Sequence, residues 1–180
     1  MNLTNPEKLI LTMLCDLIDH TKAPTDIDTK LIRESIFSNN TWSLSWEYPG
    51  ITGDSPEETP PEVNEVVDIL ELYNFMQIAF DQLDPSDKER IKEETNIKED
   101  AISFPGFDGN NEGRQLSIAR HLIEEMNRFT DFAGKYLNSH SRKLDQYREM
   151  LKVAKEIRST KTGFEQPYYS TAEIIAILNA

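Results

Sequence analysis

Cysteine occurs once in this chain of 180 residues, at Cys15. A lone thiol closes no internal disulfide and builds no cysteine-ligated zinc site. It predicts a reducing, cytoplasmic setting. Runs of about 18 apolar residues are also missing, so no membrane-spanning helix is predicted. The first residues lack a basic segment followed by an apolar stretch, which argues against a secretory leader. Histidine is confined to His20, His121 and His140. Basic residues are outnumbered, with 19 Lys and Arg against 32 Asp and Glu, for a net charge of -13. Nucleic-acid affinity rests on cations that neutralise phosphates, so direct DNA or RNA binding is not expected.

The acidic excess is local. Residues 47–100 hold 16 acids and 4 bases, whereas residues 101–180 hold 10 acids and 11 bases. Such a stretch reads first as a solvated face that keeps the chain soluble. A docking face for a basic partner is the sharper reading.

Helical spacing dominates the rest. Leu9, Ile10, Met13, Leu14, Leu17 and Ile18 recur at three- and four-residue intervals after Asn5-Pro6, and Lys22-Ala23-Pro24 ends the run. Thr25 or Asp26 is expected to cap a second helix through Leu31 and Ile36, closed by Asn39-Asn40. The pair makes a helical hairpin over residues 1–40. Residues 41–61 follow as an aromatic segment punctuated by Pro and Gly. There Trp42, Leu44 and Trp46 alternate with polar residues, which predicts a short extended stretch within a long loop. Residues 62–180 form the main helical bundle.

In that bundle Glu62 to Leu83 is apolar on most sides and is expected to be the central, buried helix. Asp84-Pro85 opens a short charged helix. After a loop from Asn96 to Asn111, Leu116, Ala119, Leu122, Ile123, Met126, Phe129, Ala133 and Tyr136 predict one long helix to about Leu137. Ser141 is read as the cap of a further helix. Ser170-Thr171-Ala172-Glu173 is a capping box, in which hydroxyl and carboxylate satisfy each other's exposed amides. The fold class is therefore all-α: an N-terminal helical hairpin plus a larger bundle around a central helix.

Motifs that carry chemistry are sparse. Asp108, Asn110, Glu112 and Gly113 match the start of a calcium loop, but the position of the closing carboxylate is Ala119, so a turn and helix cap is the better reading. His121 with Glu124 and Glu125 reverses the order used by di-iron bundles and occurs once. No metal site, cofactor or catalytic residue is therefore predicted. Cys15 on an apolar stripe reads as a buried small hydrophobe. Asp68, Glu71, Tyr73, Asn74 and Gln77 are polar groups on the central helix and need partners, for which Arg114, Arg120 and Arg128 are candidates.

Nearly the whole chain resembles the bacterial YfbU family. The resemblance rests on Asn5 to Leu11, on Val67 to Tyr73, and on Gly106-Phe107-Asp108 with Glu112, Arg114 and Arg120. It continues through Tyr147 to Leu151 and Ser170 to Ile174, closing at Leu178-Asn179-Ala180. Trp42 to Pro61, Asp87 to Asp100 and Asn138 to Ser141 depart from it. The resemblance implies an all-helical fold and names no reaction. Some relatives carry an added ribbon-helix-helix DNA-binding module, which implies a regulatory role; no such module is predicted within these 180 residues.

Two functions follow as expectations. The first is a non-enzymatic helical module that binds a protein partner or itself, as a homo-oligomer and most simply a dimer. Its interface would use Trp42, Leu44, Trp46 and Tyr48, the segment as far as Ile51, and a terminal helix, and would avoid residues 84–100. The second is a small-ligand sensor or enzyme with a polar pocket of Glu71, Tyr73, Glu112, Arg114 and Arg120.

Overall fold

A computed structural model describes residues 3–52, 59–97, 101–161 and 169–180. Gly53 and Pro56 of the aromatic segment, and residues 98–100 of the charged insert, lie outside the described residues. About two-thirds of the described residues are helical, with no strand and a single isolated bridge between Phe107 and Asn138.

α1 (Asn5–Thr21) and α2 (Thr29–Phe37) pack against each other as a hairpin. Thr4, one residue ahead of the expected cap, closes a capping box with Glu7. Asp28 rather than Thr25 or Asp26 caps α2, accepting from the Leu31 amide at 3.0 Å. Asn39 then turns the chain with a φ of 56°, a conformation asparagine tolerates well.

The expected extended stretch is instead helical. Trp42–Glu47 is α3 and Pro49–Thr52 is α4. The alternation of Trp42, Leu44 and Trp46 was a poor guide because Trp42 and Leu44 both turn inward while Trp46 sits at the edge, with its ring T-shaped on Trp42 at 5.0 Å.

α5 (Pro61–Gln82) is the central helix, with Val63, Val66, Leu70, Tyr73, Met76 and Phe80 fully or almost fully buried. A helix apolar on most sides must be covered on most sides. α7 (Gly113–Arg120) and α8 (Leu144–Thr160) both pack on it, and α9 (Thr171–Leu178) packs on α8 and on α6 (Pro85–Glu94). The rings of Tyr73, Phe104, Phe107 and Tyr147 close the centre in edge-on and tilted contacts 5.2–5.8 Å apart, the geometry that aromatic quadrupoles favour. Gly106, at φ 90°, lets the backbone of Leu137 pass so close that a Cβ would overlap its carbonyl.

The predicted helix to Leu137 is cut short. α7 ends at Arg120, and His121–Glu125 forms a π turn in which the Met126 amide donates to the His121 carbonyl. Asn127 and Phe129, both left-handed, then reverse the chain so that Phe132 can join the aromatic cluster. Of the apolar residues expected beyond Met126, Phe129 is partly buried against the core, whereas Ala133 and Tyr136 are exposed; Phe132 and Leu137 are buried in their place, delivered by a turn. The N-terminus of α8 likewise differs: its cap is supplied from a distance, since the Glu112 carboxylate accepts from the Lys143 and Leu144 amides at 2.7 Å each.

Candidate functional site

The five residues proposed for a polar pocket share no cavity. Tyr73 is buried, with its hydroxyl 3.9 Å from Met150 Sδ. Glu112, also buried, accepts from the Asp108 amide as well as from the start of α8, which makes it a structural cap. Arg114 donates to Asn40 Oδ1 at 2.8 Å and to the Asn39 carbonyl at 3.3 Å. Arg120 is exposed beside Glu124 on the wall of a cavity of about 310 Å³. Glu71 lines none of the three cavities described for this molecule, and neither do Glu112 and Arg114. The arginines expected to answer the polar groups of α5 lie elsewhere, with Arg128 stacked over Trp46 at 5.2 Å.

A buried polar cluster that sequence reasoning missed joins the hairpin to the bundle. His121 Nε2 lies 2.8 Å from Ser43 Oγ and 3.3 Å from Ser35 Oγ. Asn40 is its neighbour and the hub of a second set. Its carbonyl side chain accepts from Trp42 Nε1 at 3.1 Å and from Arg114, and its amide donates to Ser38 and Ser117 at 3.0 and 3.2 Å. A serine beside a histidine is the first requirement of a nucleophilic site. Here Ser43 is fully buried, which denies a substrate access to it. Burial also pulls the His121 pKa down to about 4, which makes it a weak base. The cluster fixes packing. Its sequence signal was only the small polar run Ser35, Ser38, Asn39, Asn40, Ser43.

Among the described residues no group of three or more His, Cys, Asp and Glu is arranged to hold a metal ion. No helix among them is long and apolar enough to cross a membrane. The Asp108 carboxylate accepts from the Asn110 amide and from Asn111 Nδ2, the turn predicted in place of a calcium loop. Cys15 is buried, and burial raises its thiol pKa, so it is not a reactive thiol.

One surface stands apart. α1 packs principally on α2, and a helix with one neighbour covers one side. Cys15 faces α2 and is buried, with Leu11 and Ile18 partly covered on the same side. The opposite side carries Leu9, Ile10, Met13, Leu14 and Leu17, all between 48% and 62% exposed. Asp16 and Asp19 turn toward Arg33 of α2, with which both pair, and Thr29 donates to Asp19. The Glu7 carboxylate is held at the Thr4 cap. Between Leu9 and Leu17 the outer side carries one carboxylate, Asp16, which is 70% exposed and 3.4 Å from Arg33. Beside it, Leu11, Leu14 and Ile18 of α1, Ile32 of α2, Leu44 and Ile51 line a cavity of about 280 Å³. The polar tips of the other lining residues are engaged elsewhere: the Tyr48 hydroxyl accepts from the Asp28 amide, and the Thr52 hydroxyl donates to the Tyr48 carbonyl.

Of the expected interface residues, Trp42 and Leu44 are buried under their own chain and leave the surface. Trp46 and Tyr48 are half-buried, and the Trp46 indole N–H donates to Thr59 at 3.0 Å. Ile51 is 72% exposed. The aromatics thus serve the chain's own core, and aliphatic residues of α1 present the uncovered surface.

The chain matches the YfbU domain over residues 1–180. It belongs to the YfbU family. A curated relative, UPF0304 protein MJECS11 of Methanocaldococcus jannaschii, is 32% identical over 140 residues, which cover 74% of this chain and 76% of the relative. The all-helical fold implied by that membership is the fold described above.

Proposed function

We propose that this YfbU chain is a non-enzymatic helical module that acts by binding another protein surface, in a regulatory setting, through the outer face of α1. The observation that carries the reading is the run Leu9, Ile10, Met13, Leu14 and Leu17, exposed on an ordered, capped helix. The largest apolar patch on a protein surface is often functional, and such patches mark interaction sites. A reducing cytosol as its compartment is part of the same proposal and rests on the single cysteine.

The alternative of a small-ligand pocket has weaker support. Glu71, Tyr73, Glu112, Arg114 and Arg120 do not converge on one cavity, and three of them are tied to neighbouring groups.

The test places a photoreactive benzophenone side chain at position 13 and, as a control, at the exposed Glu149 of α8. Irradiation in cells is expected to yield a covalent polypeptide adduct of discrete size at position 13 and none at 149. Equal labelling at both positions, or none at 13, would refute the reading. A metabolite that raises the melting temperature in a thermal-shift screen would favour the pocket instead.

A further inference from the structure

We infer that the occupant of the α1 face is a second copy of this chain, seated about a twofold axis with the two α1 helices antiparallel. The inference rests on the interaction reading above and adds the identity of the partner.

Shape supplies the first argument. A ridge of Leu9, Met13 and Leu17 stands beside the apolar groove walled by Leu14, Ile32 and Ile51. In an isologous interface each patch meets the other's counterpart, so a molecule carrying both ridge and groove satisfies both at once. Met13 sits midway along the exposed run. Its flexible thioether suits insertion into a groove that was not shaped for one fixed ligand.

Area supplies the second. Leu9, Ile10, Met13, Leu14, Leu17 and Ile51 together expose roughly 600 Å² of mostly apolar surface, at the upper limit for the largest patch on a typical monomer. A standard interface buries about 800 Å² on each partner. The aliphatic face therefore provides most of a dimer contact, with the polar rim around it supplying the remainder.

Charge decides between partners. The chain carries -13 overall, which opposes an anionic lipid surface or a nucleic acid. It would oppose a second copy too, and least along a face poor in carboxylates. Between Leu9 and Leu17 the acids are Asp16 alone, with Asp19 just beyond, and the Arg33 guanidinium that pairs with both offsets part of their charge. The acidic helix α6 packs on α9.

The experiment is sedimentation velocity on the purified full chain over a concentration series, for wild type, Met13→Glu, Ile51→Ser and the control Glu93→Lys. Wild type and Glu93→Lys are expected to sediment as dimers at micromolar concentration. Met13→Glu, which brings two carboxylates to the axis, is expected to raise the dissociation constant at least about tenfold. Ile51→Ser tests the groove wall separately and is expected to weaken the dimer to a lesser degree. Circular dichroism confirms that each variant folds, since both altered side chains are exposed in the monomer. A monomeric wild type at all concentrations overturns the inference, as does a dimer indifferent to both substitutions. A monomeric wild type that still yields an adduct with a different polypeptide at position 13 overturns self-association and leaves the interaction reading standing. Flotation of wild type with vesicles of phosphatidylcholine and phosphatidylglycerol, lost in Met13→Glu, also overturns it and assigns the face to lipid.

Discussion

α5 and α1 are both apolar helices, and they meet opposite fates. α5 is surrounded by α7, α8 and the aromatic cluster, so its apolar side chains are hidden on nearly every side. α1 is shorter and has one main neighbour, so one apolar side is hidden and the other faces outward. The same hydrophobic chemistry acts on both. The difference is the supply of partner surface within a single chain. α5 lies mid-chain where later helices can wrap it. α1 packs on α2, and the polar cluster around Asn40 and His121 joins that hairpin to the bundle. On the reading proposed above, the exposed aliphatic residues of this capped helix are covered from outside the chain.

The comparison can be sharpened by substitution. The largest effect is expected at Leu70→Ala in α5, where a fully buried side chain would leave a cavity costing about 2–5 kcal/mol. Urea denaturation reads this directly, and a loss under about 1 kcal/mol would show that α5 is peripheral. Asn40→Ala comes next. It strips partners from Arg114, the Trp42 indole and Ser117 together, and is expected to cost about 1–3 kcal/mol. The accompanying readout is faster amide exchange in α2, where the hairpin loses its anchor. A smaller effect concerns pH. Burial lowers the His121 pKa from 6.5 to about 4, so the unfolded chain binds the proton first. The stabilisation from neutral His121 is complete above about pH 6.5 and is lost as pH falls toward 4. The midpoint of wild type should therefore drop more steeply over that window than that of His121→Gln; parallel curves would contradict it. The smallest effect is expected for Leu17→Ser at high dilution, within about 0.5 kcal/mol of wild type, as for an exposed site.

Much of this arrangement was legible in the residues. The spacing of Val63 to Phe80 marked the central helix, Ser170 and Glu173 closed their box as drawn, and Cys15 took its place in the core. Periodicity alone could not show that Phe129 and Phe132 enter from a turn, because an apolar residue carries the same signal whichever backbone delivers it. The turn itself rests on left-handed backbone at Asn127 and Phe129. The Glu112 cap on α8 joins residues 31 and 32 apart, beyond the range of any capping pattern. For the proposed binding surface, the sequence drew attention to Trp42 and Leu44, whereas the uncovered residues are those of the first stripe. A stripe states that cover is needed and is silent on which chain provides it.

The central claim is that α5 is covered by its own chain and α1 by another. Thermal unfolding of wild type across a hundredfold range of protein concentration, set beside Met13→Glu, tests it most directly. A partner that binds only the folded state raises the midpoint by mass action. The account predicts a wild-type midpoint that climbs with concentration and a Met13→Glu midpoint that stays flat. A wild-type midpoint independent of concentration, equal to that of Met13→Glu throughout, would contradict it.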